Sequence, residues 1–168
     1  MDRRTGWIGS RASLLSLALI ASALLAPAGA AAACKGRVAG SVSGKFGCEA
    51  RVFTNDEGQV FFVIAPKDQL PDVPAYQPGS FELPERPAAK RYTLETLGMG
   101  MASVAREGGT LFTATKTSGQ RGEVTLTLKS VKPDPKVKGA YAVHGSYRAR
   151  LLPAGAGKEG EVVVEVDF

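Results

Sequence analysis

The chain has 168 residues and a formal net charge of +5, with two cysteines and a single histidine. That length suits one domain able to bury its own core without multiple covalent staples. A charge balance this ordinary gives no basis for nucleic-acid binding, and any histidine-dependent mechanism must use His144.

Residues Met1 to Ala33 read as a secretory signal peptide. Arg3, Arg4 and Arg11 precede an apolar run from Leu14 to Leu25, and Ala28-Gly29-Ala30 and Ala31-Ala32-Ala33 supply small-residue cleavage sites. The apolar run is short for a membrane span of about 20 residues, and Pro27 and Gly29 close it. Removing the segment takes away Arg3, Arg4, Arg11 and Asp2 and lowers the charge from +5 to +3. Residues 34–168 then form the single mature domain, exported to the periplasm or the medium. Cys34 directly after three alanines also admits a lipoprotein reading with the lipid on that sulfur.

In an oxidising compartment an even pair of cysteines favours one disulfide, Cys34 to Cys48. The loop-entropy gain for such a short loop is about 3 kcal/mol. A two-residue turn at Ser43-Gly44 would set Cys48 opposite Ala39, so the bridge requires either a turn centred nearer Ser41 or Cys34 folding back outside the ladder.

Gly36 to Val42 and Phe46 to Thr54 form the first strand pair, and Asn55-Asp56-Glu57-Gly58 has turn chemistry. The run Val60-Phe61-Phe62-Val63-Ile64 is apolar at every position, which predicts a central strand buried on both faces. Between Pro66 and Pro87 there are six prolines; residues 66–89 therefore read as a crossover loop with at most a short edge strand at Ser80 to Leu83. Strands resume over Lys90 to Leu97, Met101 to Ala105, Leu111 to Lys116 and Gly122 to Val131, with Gly108-Gly109 as a turn. Met99 to Arg106 could instead be a short helical turn.

The last 29 residues carry the cleanest pattern. Tyr141, Val143, Gly145, Tyr147, Ala149 and Leu151 alternate with polar residues, and Val162, Val164, Val166 and Phe168 do the same after a Gly/Pro loop. This is an antiparallel hairpin with one dry and one wet face. The expected register pairs Leu151 with Val162, Tyr147 with Val166, Arg148 with Glu165 and Ser146 with Asp167; a slip of two residues is the competitor. Gly145 opposite Phe168 is expected to make room for the ring. The fold class is all-β, an antiparallel sandwich or barrel of eight or nine strands.

Gly122 to Thr127, Val143 to Leu151 and Val162 to Phe168 together resemble exported bacterial β-rich proteins of uncharacterised function, of a β-sandwich and lipoprotein-like kind. The resemblance implies a fold and transfers no catalytic residue.

Several constellations could carry chemistry. His144, Ser146 and Asp167 lie on the wet face of the hairpin and allow a triad-like reading, but no nucleophile elbow or Gly-x-Ser-x-Gly accompanies them. Met99-Gly100-Met101 has the spacing of thioether copper ligands, a set His144 could join, and Asn55 to Gly58 offers oxygens, though fewer than calcium takes. Glu161, Glu165 and Asp167 could supply a glycosidase carboxylate pair, and Tyr76, Phe81, Tyr92 and Phe53 could present sugar-binding rings. Each has a simpler reading as a turn, an ionic face or a core anchor. No cofactor motif occurs, no metal is called for and no nucleic-acid partner is expected. The expectation is a non-catalytic exported module that binds or builds structure in the envelope or outside the cell. The alternative is a small secreted hydrolase using His144 with nearby carboxylates.

Overall fold

The computed structural model describes residues 31–117, 122–155 and 159–168, and these contain strands and no helix. The strands are β1 (Ala32–Gly40), β2 (Gly44–Thr54), β3 (Val60–Pro66), β4 (Ala75–Leu83), β5 (Arg91–Thr93), β6 (Gly100–Ala105), β7 (Leu111–Thr115), β8 (Glu123–Pro133), β9 (Ala140–Pro153) and β10 (Val162–Asp167). All pair antiparallel. Eight of them close a barrel in the order β1-β2-β3-β4-β6-β7-β9-β10 and back to β1, while β8 and β5 extend outward from β9. Of the two architectures the strand pattern allows, the chain adopts the barrel.

The 14-residue β9 makes this possible because its edges are shared. On one side Ser146 to Leu151 pairs with β10 and Ala140-Tyr141 with β2. On the other, Tyr141 to Arg150 pairs with β8 and Leu152-Pro153 with β7. The β9–β10 register is the one the alternation requires: Leu151 faces Val162, Ala149 faces Val164, Tyr147 faces Val166 and Arg148 faces Glu165. Gly145 exchanges both backbone hydrogen bonds with Phe168, at 2.7 and 3.0 Å. Its glycine has a different cause from the expected one. A Cβ there would sit 2.1 Å from the Thr127 carbonyl oxygen, so it is the backbone of β8 next to its irregularity at Leu128/Ser130, and not the Phe168 ring, that excludes a side chain.

Residues 1–30, which hold most of the expected signal peptide, lie outside the described residues. Ala32 and Ala33 open β1 opposite Ala50 and Glu49, two residues before the expected start of the mature domain. Cys34 faces Cys48 across β1 and β2, with Cα atoms 4.9 Å apart, and the two are joined by a disulfide. Val38 facing Gly44 sets the turn about Ser41, the first of the two ways to make the bridge, with Cys34 inside the ladder. The bond also occupies the Cys34 sulfur that a thioether-linked lipid would need. A disulfide marks a non-cytoplasmic compartment. No helix among the described residues is long and apolar enough to cross a membrane.

The proline-rich segment departs from expectation. Instead of a crossover between two sheets it contains β4, a nine-residue wall strand between β3 and β6. The strand tolerates its one proline because Pro78 falls where the β4–β6 register shifts between Gln77 and Ser80, a bulge that asks for no ladder donor there. Lys90 to Leu97 contributes only the short β5, after which Thr96 and Leu97 turn back onto the Thr93 carbonyl. In β3, Val60, Phe62 and Ile64 point into the barrel, while Phe61 and Val63 are only half-buried on its outside. The strand is therefore not dry on both faces.

One core fills the interior. Phe62 meets Tyr147 and Phe168 at ring separations of 5.8 and 5.5 Å, and Phe81 meets Tyr147 at 6.5 Å. Val162, Val164, Ala149 and Leu151 complete the β9–β10 wall, all without measurable exposure. Truncating a ring at this centre costs on the order of 3–5 kcal/mol, lost transfer energy plus a cavity.

Candidate functional site

The same alternation that sends valines inward on β10 sends Glu165 and Asp167 outward, and the strands beside it do likewise. Two rows of outward positions cross the strands. One runs Lys45, Arg37, Glu165, Arg148, Thr125 from β2 through β1, β10 and β9 to β8. The next runs Gly47, Lys35, Asp167, Ser146, Thr127 and ends on Arg91 of β5. Short side chains and Gly36 form a floor between long cationic ones, and the result is a groove of about 610 Å³. Lys35, Arg37, Lys45 and Arg148 line it against Glu165 and Asp167.

Glu165 is shared between two guanidiniums: Arg37 donates to its Oε2, and Arg148 Nη1 lies 3.3 Å from its Oε1. Both arginines remain about two-thirds exposed, so these pairs hold side chains in place and add little stability. Lys35, Lys45 and Asp167 have no ion-pair partner among the described residues. Beyond the groove, Arg150 Nε donates to Glu161 Oε2 at 2.6 Å and its Nη1 reaches Glu123 at 3.4 Å. Those carboxylates hold the guanidinium charge firmly on Arg150. Arg150 with Glu161 is a diagonal contact across the observed register and does not come from the two-residue slip.

The structure brings two of the three triad candidates together. Ser146 and Asp167 are register partners and both line the groove. His144 is exposed on the same outer face one step further along β9, opposite Ser130 and outside the groove. No hydrogen bond joins His144, Ser146 and Asp167 among the described residues. Of the glycosidase carboxylates, Glu161 and Glu165 are engaged by arginines.

The remaining candidates settle into local roles. Asn55 turns its side-chain oxygen onto the Glu57 and Gln59 amides, closing the acidic turn on itself. Phe81 and Tyr92 are core residues, and Tyr76 packs edge-on against Phe46 with its hydroxyl donated to the Asp68 carbonyl. Phe53 stacks on Phe61 at 6.0 Å on the outside of the barrel. Met99 and Met101 are exposed, Met101 between Ser80 and Thr115, where the topology does not bring His144. Among the described residues no cluster of His, Cys, Asp and Glu could hold a metal ion.

Sequence reasoning missed Lys35, Arg37 and Lys45. Their signal was present, as polar residues alternating with Gly36, Val38, Gly44 and Phe46, but nothing local says that β1 lies beside β10. It also missed the Tyr147 hydroxyl, which is fully buried with no hydrogen-bond partner among the described residues. Burial pushes its ionisation well above the usual tyrosine range. Compared with protein-family models, characterised proteins and solved structures, the chain matches none.

Proposed function

We propose that the protein is an exported, non-catalytic binding module whose ligand face is the groove across β1, β10, β9 and β8, and that its ligand is anionic. The observation that carries this is the pair of lysines, Lys35 and Lys45, which make no ion pair among the described residues and stand beside Arg37 and Arg148 in the same concavity. Surface ammonium groups without partners are ordinary when scattered. Here they stand with Arg37 and Arg148 along one concavity with a floor of small and hydroxyl side chains, which lets anionic groups approach on either side of β10. Export is supported by the order of charged, apolar and small residues before Cys34 and by the disulfide.

The hydrolase reading has less behind it. Its base would be His144, which stands outside the groove without a hydrogen bond to Ser146 or Asp167, whereas general-base catalysis needs that reach.

Titration of isotopically labelled protein with pyrophosphate tests the proposal. Amide shifts are expected to concentrate at residues 35–37, 45–47, 146–148 and 165–167. Shifts spread evenly over the lysines and arginines of the whole surface would contradict it.

A further inference from the structure

Building on the groove as the ligand face, we infer that its ligand is a glycan chain bearing sulfate or phosphate esters at intervals, laid across the strands. The cations fall into two groups. Lys35, Arg37 and Lys45 stand on β1 and β2; Arg148 stands on β9, and Arg91 on β5 carries the line further, its Nη2 reaching Thr125 Oγ1 at 3.4 Å. Between the groups lies β10, whose outward residues within the groove, Glu165 and Asp167, are carboxylates. With neighbouring strands about 4.8 Å apart, β1 and β9 are separated by about 10 Å across that acidic strand.

This spacing discriminates between polyanions. Arg37 and Arg148 share Glu165, whereas Asp167 has no ion pair among the described residues, so the middle of the groove keeps one uncompensated carboxylate between the cations of its two sides. A nucleic-acid strand carries a charge on every unit and has no neutral stretch to lie over Asp167. A glycan with its esters on some residues and neutral hydroxyls on others fits the alternation: Asp167 can accept from those hydroxyls at the centre, and Ser146 and Thr125 can bond them on the β9 and β8 side. Nucleic-acid grooves also rely on stacking platforms. The aromatic residue in this wall, Tyr147, is buried, with its ring against Phe62 and Phe81 inside the barrel. Recognition therefore runs through ester anions and hydroxyls.

Calorimetric titration with a sulfated oligosaccharide, a phosphorylated one, their ester-free counterpart and single-stranded DNA of equal total charge tests this. The ester-bearing chains are expected to bind with an affinity that falls as salt rises, and the ester-free chain and the DNA at least about tenfold more weakly. The stronger of the two esters identifies the natural group. The double variant Lys35→Gln, Lys45→Gln should lose at least about tenfold in affinity for the esterified chain, while His144→Ala should change it by less than about twofold. The ligand comparison on the unaltered protein stands whether or not a variant folds. Equal binding of the ester-free chain, or DNA bound as tightly as the esterified glycan, overturns the inference. If neither ester binds while pyrophosphate still shifts the groove amides, the glycan is wrong and the groove stands. If pyrophosphate also fails, both fall.

Discussion

Tyr147 carries the interior and the groove on one residue: its backbone is part of the β9 wall and its ring is at the centre of the core. The alternation of β9 makes the inward ring legible from sequence. Its hydroxyl is not, because that atom ends over Gly79, where a Cβ would lie 2.8 Å from the phenolic oxygen, and Gly79 belongs to a strand hidden among prolines. A buried hydroxyl without a partner loses no hydrogen bond when it is removed. Tyr147→Phe is therefore expected to leave the unfolding midpoint unchanged or raise it. A loss of more than about 1 kcal/mol in denaturant unfolding would show that the hydroxyl is bonded in solution.

At the level of the strand, β10 was readable almost residue by residue. Two alternating runs joined by a Gly/Pro loop allow few registers, and a slip of one would turn three valines and Phe168 to water. β4 was unreadable for the opposite reason. Proline density argues against a wall strand unless a bulge removes the demand for a donor, and a bulge is a property of the pairing with β6, which sequence does not display. The energetics of β10 lie on its inner face: Phe168 touches Phe62, whereas Arg148 makes an exposed pair with Glu165. Deleting Val166 to Phe168 should cost several kcal/mol and Arg148→Ala about 0.2–1 kcal/mol, measured by the denaturation midpoint. Equal, small losses would mean that β10 is undocked from β1 and β9. The exposed edge of the extension is defended differently. β5 is three residues long, and β8 runs past it with Lys129, Lys132 and Pro133, residues that discourage pairing with another chain.

Closure belongs to the whole molecule, and it is what sequence could least convey. A run of strands at short spacing suggests sandwich and barrel alike; the choice is made where β10 inserts between β9 and β1, joining the two ends of the domain. That insertion also assembles the groove, since Lys35 and Arg37 meet Asp167 and Glu165 only once the barrel is closed. Candidate residues chosen from one hairpin, Ser146 and Asp167 among them, were thus half of a face whose other half lies more than a hundred residues away in the chain. The proposed binding resides in this arrangement and not in the net positive charge. The most direct measurement compares two double charge reversals that change net charge equally: Lys35→Glu with Lys45→Glu in the groove, and Lys129→Glu with Lys132→Glu on the β8 edge. In titrations against a sulfated oligosaccharide at fixed salt, the groove pair should weaken binding by at least about tenfold and the edge pair by less than about twofold. Equal losses from both pairs would show that affinity follows total charge and would contradict the site.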